Sequence, residues 1–262
     1  MTNQEFEREI NVGGSLETAL SGKYKLSFVD TYREAFHCTV KHLAPFSPAV
    51  ILLIAIQVAI FLLSLTMQMG DLNVYLNAFD QQNGFTSQMF EALFISSFSF
   101  EVVTAPIYAG VQLMAMSHTA GLQTKTRHLM RGLQFTLPVI VVTLTSLLLQ
   151  GIVGMVFSLL SVYLSIAFSQ SILLVCEKRV PPLKAMFLSL RASNKKLLPL
   201  IGIYLVASLL FMLALLFTYG FALILFIPFY LHLKGIIYRE MFGIRLTIVA
   251  RQGNNESKTF DA

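Results

Sequence analysis

The sequence predicts an all-α polytopic membrane protein: six transmembrane helices in three hairpins, with cytoplasmic amphipathic interfacial helices beside them. Two observations carry this. Of 262 residues, 55% are apolar and 13% charged, with a mean hydropathy of +0.69, where an average soluble domain carries about 25% charged residues. The second observation is the placement of positive charge. The 19 Lys and Arg residues fall into four clusters, separated by basic-free stretches at His42–Thr124, Gly132–Glu177 and Leu197–Leu233. Each stretch holds apolar runs that reach the ~20 residues needed to cross a bilayer as a helix. Basic residues stay on the cytoplasmic side during insertion, so the alternation predicts three hairpins with both termini in the cytoplasm.

Residues 1–24 are polar and punctuated by Gly and Ser, which predicts a flexible cytoplasmic arm rather than a signal peptide. From Leu26 to Leu43 a helical period puts Val29, Tyr32, Phe36 and Val40 on one face and Asp30, Glu34, His37 and Lys41 on another. That pattern predicts a helix lying in the interface. The first span is expected at 48–68, followed by an external loop containing Asp71 and Asp80. The second span is expected at 89–116, interrupted by Pro106, with Lys125, Arg127 and Arg131 marking the return to the cytoplasm.

The apolar stretch 134–176 is too long for one helix. A split near Gly151 and Gly154 gives spans at 134–150 and 155–176. The segment after it alternates an apolar face (Leu183, Met186, Phe187, Leu190) with a basic stripe of Lys184, Arg191 and Lys195. It reads as the third of three cytoplasmic surface helices, one before each expected hairpin. Spans five and six are expected at 197–217 and 220–238, with Lys234 extending its ammonium to the inner interface. The tail 251–262 is polar and expected to be disordered, leaving 25–250 as the transmembrane domain. Pro45, Pro138 and Pro199 each follow an apolar residue at the expected start of an odd-numbered span, a weak threefold repeat that suits proline's place near helix starts.

Cys38 and Cys176 both fall on the expected cytoplasmic side, where a structural disulfide is disfavoured. No Cys/His spacing suggests a metal, and no cofactor is expected. Trp is absent, so an interfacial aromatic belt would rest on Tyr75, Tyr219 and Tyr238. The charge of +5 fits the positive-inside bias and anionic lipid headgroups, not nucleic acid.

Glu101 is the most unusual residue, ~18 Å from the outer end of its span at 1.5 Å per residue. Intramembrane carboxyls commonly face a partner, a cavity or a proton route. His232, at a similar counted depth, is the candidate partner. The alternative is a carboxyl satisfied by Ser97 one turn back or by a neighbouring helix, with no role beyond packing. Pro106 and Pro228 interrupt spans two and six and free the carbonyls of Val102 and Ile224, as a site or as simple kinks. Ser158, Ser161, Ser165 and Ser169 form a stripe expected to be a helix-packing face, with a hydrophilic path as the alternative. Arg127, Arg131, Lys184, Arg191 and Lys195 are candidate lipid-headgroup contacts. The sequence has no HExxH, GxSxG, Walker or GxGxxG motif, so no enzyme is predicted.

The motifs APIYAGV at 105–111, the Leu-Pro start of span three and EKRVPPLKAMFLSLRASNKKLLPL at 177–200 give a resemblance over about 91–215. The stretch resembles the YciC-like family of bacterial inner-membrane proteins, related to the membrane domain of some glycerophosphodiester phosphodiesterases. The chain departs from that pattern at GIVGMVFSLL, which lacks the family's proline. The resemblance implies a six-helix bundle in a bacterial inner membrane and supplies no catalytic residues. The phosphodiesterase catalytic domain has no counterpart here.

Two functions follow as expectations. One is a non-enzymatic envelope organiser or adaptor acting through anionic lipids, or membrane-protein partners, at the cytoplasmic face. The other is a transporter or flippase for a lipid or small amphiphile, using a mid-membrane site at Glu101 and His232. A closed, dry core favours the first and a cleft reaching Glu101 the second.

Overall fold

Ser27 and Thr86 start the two longest helices, their side-chain oxygens accepting from the backbone N–H groups of Asp30 and Met89. Such caps satisfy amides that the first turn leaves orphaned. The computed structural model describes residues 6–70, 73, 86–250 and 257–259. Helix α1 is Leu16–Ser21, α2 Phe28–Met69 and α3 Ser87–Thr119. A 3-10 segment, Thr126–Phe135, leads into α4, Thr136–Val156. Then come α5 (Ser158–Ala167), α6 (Ser171–Lys178), α7 (Pro182–Lys195), α8 (Leu197–Thr218) and α9 (Leu223–Phe242).

The chain is thus overwhelmingly helical. Among the described residues, five stretches are long and apolar enough to cross a membrane: Phe28–Met69, Ser87–Thr119, Thr126–Val156, Ser158–Lys178 and Leu197–Thr218. It is a helical membrane protein by that measure. Helix α9 is not among the five, and it carries Lys234, Arg239 and Glu240 within its twenty residues. The loop expected to be external, with Asp71, Asp80 and Tyr75, and most of the tail, lie outside the described residues.

The first surface helix and the first span are not separate elements. Helix α2 runs unbroken for 42 residues through Pro45 and Pro48, or ~63 Å, about twice a ~30 Å hydrocarbon core. Pro45 therefore does not open a helix, whereas Pro138 and Pro199 each sit at the third position of theirs, α4 and α8. The helix break expected near Gly151 and Gly154 falls at Phe157, three residues beyond the second of these glycines. Span four breaks at Phe168–Gln170. Ser189 of α7 answers that break by donating to the carbonyl of Ala167 at 2.6 Å.

Residues 1–24, expected to be a flexible arm, carry structure from Phe6 onward. Strand β1, Phe6–Val12, pairs antiparallel with β2, Ile244–Ala250, in the register Phe6↔Ala250 to Val12↔Ile244. A third strand, β3 at Ser257–Thr259 in the tail, adds to β2. Alternation of apolar and polar residues in FEREINV and IRLTIVA is the strand signal. Its partner lies at the other end of the chain. Tyr24 is 3% exposed, and its hydroxyl donates to the carbonyl of Ala192 in α7 at 2.9 Å.

Helices α2, α3 and α9 pack on one another as the centre of the bundle. The 3-10 segment lies so close to α3 that a Cβ at Gly110 would collide with the carbonyl of Leu129. One at Gly132 would collide with that of Pro106. Helix α8 sits outside this centre and touches α9 sparsely. That loose seam leaves space between α5, α8 and α9.

Candidate functional site, a buried lysine between two cavities

A helical side chain leans toward its helix's N-terminus. For Lys234 that direction points back along α9, away from the helix's C-terminal end. The structure agrees. Lys234 is 7% exposed, so the expectation that it reaches an interface is corrected. Its Nζ lies 3.5 Å from the Tyr108 hydroxyl, 5.6 Å from the Tyr108 ring centroid and 5.9 Å from that of Tyr230, one turn earlier on α9. These rings offset part of the ammonium's desolvation. Among the described residues, no carboxylate pairs with Lys234.

Two cavities meet at this lysine. The first, about 420 Å³, is of mixed polarity: Gln57, Glu101, Thr104, Tyr108, Thr143 and Gln150 line it with Ser165 and Lys234, beside apolar residues such as Phe100 and Leu147. Thr143 contributes a buried hydroxyl without a hydrogen-bond partner. The second, about 630 Å³, is lined by Ser161, Ser165, Ser169, Tyr204 and Tyr230. Leu205, Phe211, Phe226 and Ile227 form an apolar wall. Gln150, Ser165 and Lys234 line both. Three of the four stripe serines of the fourth span therefore face a cavity, against the expectation of a packing face. Gln170 supports the second cavity by donating to the Tyr204 hydroxyl at 3.1 Å.

Glu101 does not meet His232. It is exposed, on the rim of the first cavity. His232 is fully buried against Thr39 and His118, with ring nitrogens 3.0 Å from the Thr39 hydroxyl and 3.0 Å from His118 Nδ1. His118 lies seventeen residues beyond Glu101 on the same helix, ~26 Å at 1.5 Å per residue. Counting depth from the hairpin turn failed because α9 sits well along α3 rather than level with it.

His232 belongs instead to a cluster that the sequence did not announce. His42 stacks on His118 with ring centroids 4.3 Å apart and planes 4° from parallel. Phe46 presents its edge to His118. The second ring nitrogen of His118 reaches the Thr124 hydroxyl at 2.7 Å, and His42 Nδ1 donates to the Cys38 carbonyl at 3.0 Å. Among the described residues no His, Cys, Asp and Glu group converges as a metal site. Cys38 and Cys176 are free and buried.

Pro106 and Pro228 are buried within continuous helices and line neither cavity. Arg127, Lys184, Arg191 and Lys195 are exposed, and Arg131 is half-buried. The apolar face expected on α7 divides: Met186 is buried, while Leu183 and Phe187 face outward with the guanidinium of Arg191 over the Phe187 ring at 5.9 Å. Of the expected belt tyrosines, Tyr219 is exposed in the turn between α8 and α9, whereas Tyr238 is buried and donates to Glu177 at 2.7 Å.

No known protein family matches the chain, and neither a curated protein nor a solved structure is significantly similar to it.

Proposed function

We propose that this is a six-span protein of the bacterial inner membrane, with both termini cytoplasmic, that binds or moves a lipid or small amphiphile through the cavity pair at Lys234. The observation that supports it is that Lys234 lines both a cavity of mixed polarity, which Glu101 also lines, and a larger one with an apolar wall. Ligand sites are concave, mostly apolar and carry a few placed polar groups. The sixth span is α9, whose charged residues lie in its second half. Membership of the YciC-like family is part of the same proposal and rests on residues 91–215.

Protein purified in mild detergent and examined by native mass spectrometry should retain amphiphile adducts. Ser165→Phe, which fills the wall common to both cavities, should remove them while leaving the helical circular dichroism unchanged. Equal adducts in both proteins would sink the reading. Reporter fusions at Asn83 and after Gly253 should report periplasm and cytoplasm respectively. The same compartment for both would refute six spans.

A second reading is favoured by α7. Its exposed Leu183 and Phe187 beside Lys184, Arg191 and Lys195 suit a helix held on anionic headgroups at ~1 kcal/mol per charge. An envelope-organising role through lipids or partners at that face is compatible with the cavity function.

A further inference from the structure

Resting on the amphiphile reading, we infer that the ligand's headgroup is an anion, a carboxylate or a phosphate monoester, seated on the Lys234 ammonium with its single chain along the apolar wall of the larger cavity. An ammonium has three donors and no acceptor. Here it has one long contact, to the Tyr108 hydroxyl at 3.5 Å, and two ring faces. A buried charge without a counter-ion is costly, and in membrane helices it marks ligand or ion pathways. The anion that would complete it comes from no described residue. Both cavities open onto this lysine.

The direction of the chain follows from the walls. Glu101 lines the smaller cavity and repels an anion that spreads into it. Leu205, Phe211, Phe226 and Ile227 line the larger one and take hydrocarbon. About 630 Å³ falls in the range of pockets for drug-sized molecules, ~300–1,000 Å³, which fits one chain. The hydroxyls of Tyr204 and Ser165 line the same cavity as Lys234 and are further donors for the headgroup.

The test uses the full chain in nanodiscs of zwitterionic lipid and reads hydrogen exchange at 201–211 and 224–234. Probes are myristate, dodecyl phosphate, 1-tetradecanol and inorganic phosphate. Myristate or dodecyl phosphate should slow exchange several-fold in the wild type and in Lys234→Arg, but not in Lys234→Met. Which of the two protects more identifies the headgroup. With no ligand, Lys234→Met should melt at or above the wild-type Tm, because an unpaired buried charge has been removed. A lower Tm for Lys234→Met would make the lysine a structural group and overturn the inference. Equal protection by tetradecanol, unaffected in Lys234→Met, would overturn the anion but leave the amphiphile reading standing. Protection by inorganic phosphate alone would place a free anion there and remove the chain. No protection by any probe would remove both readings.

Discussion

His118 Nδ1 stands 3.0 Å from His232 Nε2, and the hydroxyls at either end fix the direction of that hydrogen bond. Thr39 donates its hydroxyl proton to the carbonyl of Ala35 at 2.7 Å. Its oxygen must therefore accept from His232 Nδ1 at 3.0 Å. A neutral His232 protonated at Nδ1 presents Nε2 as an acceptor, so His118 donates from its own Nδ1. His118 Nε2 is then the acceptor for the Thr124 hydroxyl at 2.7 Å. The result is one directed chain, Thr124 to His118 to His232 to Thr39 to Ala35, tying α3 to α9 and α2.

Thr39→Val keeps the shape and removes one acceptor, leaving the buried imidazole N–H only the Pro228 carbonyl one turn back, at a cost of about 1 kcal/mol. Thermal unfolding in detergent measures it. His118→Gln and His232→Gln should be strongly non-additive, by roughly 0.5–3 kcal/mol, whereas Glu101→Gln and His232→Gln should add within about 0.5 kcal/mol, as distant sites do. Coupling in the second cycle and none in the first would reverse the assignment of His232's partner.

Arg239 binds Glu34 through both terminal nitrogens, at 2.6 and 2.8 Å, and also donates to the Thr119 carbonyl at 2.8 Å. The Glu34 side chain is 44% exposed, so screening keeps the pair itself near ~1 kcal/mol or less. The Thr119 carbonyl, at the C-terminal end of α3, is the contact that a shorter ammonium loses. Arg239→Lys should therefore cost about 2 kcal/mol and Glu34→Gln less than half of that. Equal losses in the two variants would show that the ion pair, not the capped helix end, carries the stability.

Burial pushes the Tyr24 phenol up to about 12 from the ordinary ~10. The folded state thus favours the neutral form. Its contribution is complete below about pH 10 and is lost as pH rises from 10 through 12. Tyr24→Phe should weaken the attachment of α1 to α7 at neutral pH by about 1 kcal/mol, the value of one hydrogen bond. It should also flatten the loss of stability across that alkaline window. A wild-type slope retained in Tyr24→Phe would assign the titration to other groups.

The apolar stretches of α2, α3, α4 and α8 are legible in the sequence because a span needs only length and hydropathy. The level of one residue against another across helices is not legible. His232 and Glu101 have similar counted depths, yet α9 is displaced along α3 and the two residues part. Lys234 was within reach of the sequence: the lean of a helical side chain toward its N-terminus already turns it away from the helix's C-terminal end, while the habit of lysines near span ends points it out. The histidine chain was not, because His42, His118 and His232 share no spacing and meet only when three helices pack. The serine stripe was visible, but small residues on a helix serve packing and cavities alike. The loose seat of α8 decides between them.

Gly13 and Gly14 are the last test, since they explain how a polar arm is held in place. The Gly14 amide donates to the Arg239 carbonyl at 2.9 Å, and a Cβ at Gly14 would collide with the carbonyls of Glu240 and Met241. Gly13 has φ of 95°, a region that only glycine adopts freely. The arm therefore passes directly over the C-terminal turn of α9 before β1 pairs with β2. Gly14→Ala has no room to relax, because its neighbours are backbone atoms rather than flexible side chains. We expect the variant to release the arm from α9, seen as fast amide exchange at residues 6–14 and 244–250 with exchange in α3 unchanged. Protection retained at 6–14 would mean that strand pairing alone holds the two ends of the chain together.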